Sequence, residues 1–243
     1  WKAGTSFTND ASATGIGSID STGSVNTDAG FSIMSYTGTG SVETFAHGLN
    51  SAPELVILRN REVASNWWVW GELLGNNQIM ELDTTSAKYN PNGNYHNDTM
   101  PTSSVISIGS DGQVSGNGQS HICYAFHSVQ GYSKFSSYIG GGSNFPFIYT
   151  GFKPAFVMLK KTSGTGNWQL FDNKRAGYNP DNDVLRPNLS NVECTSCVEI
   201  DMLSNGYKLK NTDGDGNTSG GTYIYMAFAE APLVGTNNVP CNA

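Results

Sequence analysis

The stretch Gly151-Phe-Lys-Pro-Ala-Phe-Val-Met-Leu-Lys-Lys161 combines a turn, a proline and an apolar run, a pattern typical of a buried strand. The same order occurs upstream in Gly48-Leu-Asn-Ser-Ala-Pro-Glu-Leu-Val-Ile-Leu-Arg-Asn60. Pro53 and Pro154 are 101 residues apart, and the Asn-Trp pairs that follow them, at 66–67 and 167–168, have the same spacing. This regular spacing indicates that the chain contains an internal duplication.

Each copy consists of about six short apolar or alternating segments separated by Gly, Asn and Asp, which is typical of all-β folds. In the first copy these segments are 31–36, 55–58, 67–70, 78–83, 105–108 and 121–127. No stretch keeps a 3.6-residue period over ten residues, so we expect little or no helix. We predict an all-β fold of two tandem, pseudo-repeated β-sandwich-like halves with long loops.

The duplication also predicts the domain boundaries. Residues 1–29 are rich in Ser, Thr, Gly, Asn and Asp and nearly lack large apolar side chains, so we expect a linker or an extended arm. The first β repeat should cover 30–130, the second 131–232, and an extended tail 233–243. Because the first residue is Trp1 rather than Met, we expect the chain to be part of a longer protein.

Turn-forming residues separate the predicted strands in both copies. Asp111-Gly112 predicts a hairpin-type turn, and Asn205-Gly206 is its expected counterpart in the second copy. Polar loops at 84–104 and 172–197 are the longest, and loops on a rigid scaffold are where recognition usually occurs.

Charge and hydropathy argue against two classes of partner. The net charge is −7, and the 13 basic residues are dispersed along the chain. Binding nucleic acid or anionic lipid requires a concentrated positive surface, so we expect neither. No apolar run approaches the roughly 20 residues of a membrane span, and we expect no membrane insertion.

The four cysteines are too few for a disulfide framework in 243 residues; they are Cys123, Cys194, Cys197 and Cys241. Cys194 and Cys197 form a CxxC motif, which is consistent with a local disulfide or with two free thiols. One such pair does not complete a tetrahedral zinc site, so a metal or redox role is the less favoured interpretation.

Three loop tyrosines, Tyr89, Tyr95 and Tyr178, are candidate ligand-binding residues. They lie among Asn, Asp and Gly in the two long loops, and an exposed aromatic ring can stack on the apolar face of a sugar. The alternative is that these rings pack locally and order their own loops.

The segment Asp213-Gly-Asp-Gly-Asn217 places oxygen ligands at alternating positions, Asp213, Asp215 and Asn217, as calcium-binding loops do. The EF-hand pattern is not met, because its twelfth position is Ile224 rather than Glu. A flexible Asp-Gly turn between strands is the alternative. Apart from calcium at this segment, for which the flexible turn is the alternative, we expect the protein to bind no cofactor.

Neither the histidines nor the strand acids form a catalytic pattern. His47, His96, His121 and His127 have no metal-ligand or nucleophile spacing, and we interpret them as structural or surface residues. The most strand-like acids are Glu81, Asp83, Glu199 and Asp201. Their i, i+2 spacing places each pair on one face of a strand, and the simplest interpretation is that this face is exposed to solvent. We therefore predict that the protein is not an enzyme and has no catalytic residue.

Several longer motifs resemble one family. They are Gly30-Phe-Ser-Ile-Met-Ser-Tyr-Thr-Gly-Thr-Gly40, His47-Gly-Leu49, Ala52-Pro-Glu-Leu-Val-Ile57, Gly131-Tyr-Ser-Lys-Phe135, Tyr149-Thr-Gly-Phe-Lys-Pro-Ala-Phe156, Leu203-Ser-Asn-Gly-Tyr-Lys-Leu209 and Gly220-Gly-Thr-Tyr-Ile-Tyr-Met-Ala-Phe-Ala-Glu-Ala-Pro232. The family is an uncharacterised repeat domain of structural and tail-fibre-like proteins of tailed phages, mostly marine. There it often follows a SPRY- or lectin-like domain, and Trp1-Lys-Ala-Gly4 resembles that junction.

The resemblance implies a non-enzymatic virion component: a fibre, appendage or decoration domain for adhesion or host-surface recognition. It implies other virion proteins and copies of the chain itself as partners, a cell-surface glycan or protein as ligand, and a virion or extracellular location. An extracellular bacterial carbohydrate-binding or adhesin module is the first alternative. A polysaccharide depolymerase is the second, and it would require a close pair of acids in a groove.

Overall fold

The computed structural model describes residues 4–175, 178–197 and 200–231. Strands account for 40% of it and helices for 7%, and the strand pairs form antiparallel sheets. The all-β prediction is therefore confirmed. The predicted tail at 233–243 and Cys241 lie outside the described residues.

The chain divides into two compact units. Unit 1 comprises Trp1–Leu82 and Lys88–His127, and unit 2 comprises Asp83–Ala87 and Ser128–Ala243. The predicted boundaries at 30–130 and 131–232 miss one feature, because Asp83–Ala87 belongs to unit 2 although it lies within the first copy in sequence. No helix among the described residues has the length and apolarity of a membrane span.

Among its described residues, unit 1 contains nine strands and two one-turn helices. The strands are β1 (Thr5–Asn9), β2 (Ser21–Asn26), β3 (Phe31–Thr37), β4 (Glu43–Ala46), β5 (Leu55–Asn60), β6 (Trp68–Trp70), β7 (Met80–Glu81), β8 (Val105–Ile108) and β9 (Ser120–Phe126), and the helices are α1 (Ala11–Thr14) and α2 (Gly112–Ser115). They form a seven-stranded sheet in the order β1-β2-β3-β9-β5-β6-β7 and a two-stranded sheet, β4-β8.

Unit 2 contains seven strands among its described residues. They are β10 (Ser133–Ile139), β11 (Phe147–Tyr149), β12 (Pro154–Lys161), β13 (Gln169–Asp172), β14 (Ile200–Leu203), β15 (Gly206–Leu209) and β16 (Thr222–Ala229), with a 3₁₀ turn at Gly142–Asn144 and the one-turn helix α3 (Gly214–Asn217). They form a four-stranded sheet, β10-β16-β12-β13, and a three-stranded sheet, β11-β15-β14.

The order of strands shows the duplication directly, because β3-β9-β5-β6 in unit 1 corresponds to β10-β16-β12-β13 in unit 2. Phe126 of β9 pairs with Phe31 on one side and Leu55 on the other. Phe228 of β16 pairs in the same way with Ser133 and Phe156. The two central strands therefore occupy the same place in the two units.

In each unit, an apolar cluster of described residues is buried between the two sheets. In unit 1, Leu58 and Trp70 of the larger sheet belong to the same cluster as Phe45 and Ile106 of the smaller one. In unit 2, Val157 and Phe171 cluster with Tyr207 and Met202 of the opposite sheet. Two apolar sheet faces that share one core are the arrangement of a β-sandwich, as predicted.

The prediction that residues 1–29 form a linker or arm is wrong, because β1 and β2 extend the large sheet of unit 1. These residues carry few apolar side chains, yet an existing sheet edge offers them backbone hydrogen bonds. Phe7, Ile19 and Val25 also pack against the core.

The segment at Asp111 is a helix cap rather than a hairpin turn. Asp111 accepts a hydrogen bond from the backbone N–H of Gln113 at the start of α2. Asp213 does the same for Asp215 at the start of α3, so Asp213, not Asn205, is the counterpart of Asp111. Asn205 lies in the two-residue turn between β14 and β15, and Gly206 is the first residue of β15.

A buried cation holds the segment Asp83–Ala87 in unit 2. Lys160 of β12 is fully buried, and its Nζ donates to the carbonyl oxygens of Gly166 at 2.5 Å and Thr85 at 3.1 Å. The backbone N–H of Gly166 donates to the same Thr85 oxygen at 2.9 Å. A buried ammonium must be hydrogen-bonded, so this contact fixes the segment in place.

We expect Lys160→Ala to lower the free energy of unfolding by about 3 kcal/mol, because it leaves a cavity and removes the donor to a buried carbonyl. Denaturant unfolding measures this directly. Lys208→Ala, at an exposed position of β15, is the control and should change stability by less than about 0.5 kcal/mol. Equal stabilities for the two variants would contradict the prediction.

Candidate functional site

A small cleft of unit 2 lies where three adjacent strands of the four-stranded sheet end. Its lining residues are Lys153, Asn173, Tyr178, Asn179, Asp181, Met202 and Glu230, and its volume is about 90 Å³. Lys153 precedes β12, Asn173 follows β13 and Glu230 follows β16. Because these strands are antiparallel, all three residues emerge at the same end of the sheet.

Backbone hydrogen bonds position the residues at the strand ends. The N–H of Glu230 donates to the carbonyl oxygen of Lys153 at 2.9 Å, and the N–H of Asn173 donates to that of Ala155 at 3.0 Å. These bonds continue the sheet one step beyond the strands, so the floor of the cleft is rigid.

The other wall of the cleft is a loop held along the outer edge of β14. The Asn179 side chain donates to the Met202 carbonyl and accepts from the Met202 N–H, both at 2.9 Å. Asp181 and Ile200 exchange two backbone hydrogen bonds, of 2.7 and 2.9 Å. The loop is thereby fixed like an additional strand.

Asp181 carries the most unusual electrostatics of the cleft. The residue is 3% exposed, and its Oδ2 has no hydrogen-bond partner among the described residues. Its Oδ1 accepts a long hydrogen bond, 3.3 Å, from the Asp183 N–H. Burial raises the pKa of the Asp181 carboxyl to about 6. A buried carboxylate oxygen without a donor is costly, so a ligand donor would gain by meeting it.

The charged groups at the rim of the cleft are more exposed to solvent than Asp181. Lys153 pairs with Glu230 at 2.8 Å, and Lys174 approaches the same carboxylate at 4.0 Å. The hydrogen bond from Lys153 lowers the pKa of Glu230. The two carboxyl groups of the cleft thus have pKa values shifted in opposite directions.

Tyr178 is the predicted ligand-binding residue that the structure places at this cleft. It lines the cleft and is 78% exposed, so its ring is available to a ligand. The neighbouring polar groups of Asn179 and Asp181 lie on the same loop.

The other two predicted tyrosines belong to unit 1. The Tyr95 ring lies 4.2 Å from the Trp68 ring, measured between centroids, and packs against the core of unit 1. Tyr89 is 37% exposed, but its hydroxyl donates to Glu81 Oε1 at 2.6 Å and its backbone bridges to Ile79. Both rings order the loop in which they lie, which was the alternative interpretation.

The predicted calcium segment forms the capped one-turn helix α3. Asp213 Oδ2 accepts from Gln169 Nε2 at 2.7 Å, and Asp215 Oδ2 accepts from Asn167 Nδ2 at 2.7 Å. Asn217 is buried, and its Oδ1 accepts from the Gly141 N–H at 2.8 Å. Each of these three oxygens is therefore bonded to a different protein donor. Among the described residues, no group of three or more His, Cys, Asp or Glu has the arrangement of a metal site.

The CxxC cysteines stabilise the loop next to the cleft. A disulfide joins Cys194 and Cys197, with 5.8 Å between their Cα atoms. Cys194 and Val184 exchange backbone hydrogen bonds, which ties the disulfide to the segment that follows Asp181. Cys123 is a free thiol buried in unit 1, and burial raises its pKa.

Arg175 crosslinks the same region. Its Nε donates to Asp172 Oδ2 at 2.6 Å and its Nη1 pairs with Glu193, the residue before Cys194. The loop around the cleft is therefore fastened to β13 by an ion-pair network as well as by backbone hydrogen bonds.

Three of the histidines and two of the strand acids are bonded to neighbouring groups of the fold. His47, His96 and His121 are buried in unit 1 with one ring nitrogen against a backbone carbonyl, and burial lowers their pKa values, that of His47 to about 4. Glu81 accepts the Tyr89 hydroxyl, and Asp201 pairs with Lys210 at 3.2 Å. Glu199 lies outside the described residues.

Sequence reasoning missed most of the cleft. Lys153, Asn173 and Glu230 become neighbours only through strand pairing, and nothing in their local sequence indicates it. Asp181 offered one signal, since Asn179-Pro-Asp-Asn-Asp183 is the most polar run of its loop. Its burial could not be read from that run.

The raised pKa of Asp181 predicts a pH-dependent stability. The carboxyl titrates near 3.8 when unperturbed and near 6 when folded, so between these values the folded state holds a proton that the unfolded state releases. Stability from this group therefore falls as the pH rises through that window. Relative to wild type, we expect Asp181→Asn to gain about 2 kcal/mol of unfolding free energy between pH 4 and pH 7, because it cannot ionise.

Denaturant unfolding at several pH values tests this expectation. Asp28→Asn, at an exposed position of unit 1, is the matched control and should follow the wild type within about 0.5 kcal/mol at each pH. A difference between Asp181→Asn and wild type that stays constant with pH would contradict the assignment.

Comparison with known proteins gives a family but no described activity. No curated protein and no solved structure matches the chain significantly. A family described as "Domain of unknown function (DUF7483)" matches residues 1–232, which include both repeats and the N-terminal strands. The chain therefore belongs to the DUF7483 family.

Proposed function

We propose that the chain is a non-enzymatic recognition module that binds a cell-surface glycan at the cleft of unit 2. The observation that carries this proposal is the exposed Tyr178 ring beside the buried Asp181 carboxylate, whose Oδ2 has no partner among the described residues. An aromatic ring next to unpaired hydrogen-bonding groups is the combination that a sugar requires.

The chemistry of a sugar matches the groups of the cleft. The C–H face of a pyranose is apolar and stacks on an aromatic ring such as that of Tyr178. Sugar hydroxyls donate to oxygens such as Asp181 Oδ2 and Asn173 Oδ1, neither of which has a partner among the described residues. The Lys153 ammonium supplies a donor for a sugar oxygen.

The size of the cleft favours weak binding of one sugar residue. A cavity of about 90 Å³ is small, so only part of a glycan enters. Weak individual sites reach useful affinity when several copies bind one surface, because linked sites act with a high effective concentration.

We place this activity in a phage virion, as a fibre, appendage or decoration domain for adhesion or host recognition. The resemblance of its sequence motifs to those of tail-fibre-like proteins supports this setting, and its partners would be other virion proteins and further copies of the chain. An extracellular bacterial carbohydrate-binding or adhesin module would use the same cleft in the same way.

One observation favours polysaccharide cleavage as a second candidate. Asp181 and Glu230 both line the cleft, and their pKa values are shifted in opposite directions, as in an acid and base pair. The test is whether the wild type releases reducing ends from oligosaccharides and whether Asp181→Asn abolishes this release. If both are observed, the protein is a depolymerase rather than a non-enzymatic binding module.

We expect Tyr178→Ala to weaken sugar binding about tenfold, because it removes a stacking contact of about 1.4 kcal/mol. Saturation-transfer NMR with glucose, galactose, rhamnose and N-acetylglucosamine identifies a bound sugar, and titration of that sugar gives the dissociation constant.

Tyr149→Ala is the matched control, since Tyr149 is also exposed in unit 2 but does not line the cleft. It should bind as the wild type does. Absence of a signal with all four sugars, or equal affinities for the two variants, would overturn the proposal.

A further inference from the structure

The side-chain donors that line the cleft of unit 2 are bonded within the protein. Lys153 Nζ pairs with Glu230 Oε2 at 2.8 Å, and the Asn179 amide donates to the Met202 carbonyl at 2.9 Å. The Asn173 amide also donates to Glu230, and this hydrogen bond lowers the pKa of that carboxyl. A ligand that offers mainly acceptors would therefore compete with existing bonds.

Two acceptors of the same cleft are unpaired. Asp181 Oδ2 and Asn173 Oδ1 are buried atoms without a hydrogen-bond partner among the described residues. The contact with Glu230 identifies the Asn173 oxygen, because a carboxylate accepts from the amide nitrogen and leaves Oδ1 on the other side. Asp181 is only 3% exposed, and leaving a buried carboxylate oxygen unpaired is costly. The cleft therefore lacks donors rather than acceptors.

The charges at the cleft favour a cation over an anion. Its lining residues include two carboxyl groups, Asp181 and Glu230, and one ammonium, Lys153, which pairs with Glu230. Burial raises the pKa of Asp181 to about 6, so this carboxyl is mostly ionised at pH 7. The exposed Tyr178 ring acts in the same direction, because the face of an aromatic ring attracts a positive charge.

The neighbouring cations form their ion pairs with other carboxylates. The charge of Arg175 lowers the pKa of Asp181, but its guanidinium pairs with Asp172 and Glu193. Lys174 approaches Glu230 at 4.0 Å, and 78% of its side chain is exposed to solvent. A cationic donor on a ligand would thus meet a carboxylate that has no ion pair among the described residues.

We propose that the ligand of this cleft is an amino sugar, whose protonated amino group donates to Asp181 Oδ2 and Asn173 Oδ1 while its ring lies against Tyr178. This inference rests on the proposed function and names the class of sugar. A primary ammonium carries three donors and one positive charge on a single atom. It therefore supplies both unpaired oxygens and the charge that Asp181 lacks.

Other ligands satisfy these groups less completely. The hydroxyl of a neutral sugar has one donor and no charge, and an acidic sugar is repelled by Asp181. An N-acetyl group removes the charge and adds bulk in a cavity of about 90 Å³. A lysine side chain brings the same ammonium but no sugar ring to stack on Tyr178.

Protein-observed NMR titration of the full chain at pH 7 tests the proposal. Glucosamine, glucose and N-acetylglucosamine differ only at C2, so they isolate the amino group. We expect glucosamine to bind at least about tenfold more tightly than the other two, because a charged donor forms the stronger hydrogen bond to a carboxylate. n-Butylamine, an ammonium without a sugar ring, should bind at least about tenfold more weakly than glucosamine.

A pair of matched variants locates the source of the preference. Asp181→Asn should bind glucosamine and glucose about equally, because the amide retains an oxygen acceptor but has no charge. Asp183→Asn removes the same charge two residues further along the loop, at a position that does not line the cleft. It should retain the preference of the wild type.

The outcomes separate this inference from the proposed function. If glucose or N-acetylglucosamine binds as tightly as glucosamine, the cleft binds sugars without selecting an amino group, and only the inference is overturned. If none of the sugars binds, both are overturned. Binding of n-butylamine as tightly as glucosamine, or a preference that persists in Asp181→Asn, would also overturn the inference.

Discussion

Pairing on both edges of one central strand is the constraint on which each unit depends. β9 and β16 each lie between two partner strands and pair with both of them, β9 over residues 121–126 and β16 over residues 223–228, and most of their side chains are apolar on both faces. The strands that flank them fix where the remaining loops begin and end. In unit 2 this places Lys153, Asn173 and Glu230 at one end of the sheet, and the cleft forms there.

The strands and their duplication can be predicted from the sequence, because buried strands produce a pattern of apolar residues and the two copies have the same spacing. It does not reveal that residues 1–29 join the sheet, since β1 and β2 are held mainly by backbone hydrogen bonds, which any sequence can make. The helices α2 and α3 were missed for a similar reason. Asp111 and Asp213 are both turn formers and helix caps, and only the chain that follows decides between the two.

The candidate site was predictable only in part. The composition of the loop suggested Tyr178, and its exposure agrees with a role in binding, but Tyr95 has the same local surroundings and packs against Trp68 instead. The oxygens of Asp213, Asp215 and Asn217 have a suggestive spacing, yet each is bonded to a different donor in unit 2. Exposure and hydrogen-bond partners depend on distant parts of the chain, which spacing along the sequence does not encode.

The segment Asp83–Ala87 means that the two repeats cannot be separated at a single point. A cut between His127 and Ser128 would leave the second repeat without Thr85, one of the carbonyls that accept the buried Lys160 ammonium. The first repeat would in turn carry five residues that have lost their partners. The second repeat therefore depends on a segment that the first repeat carries in sequence, and an exchange between related proteins at this junction would remove it from the second repeat.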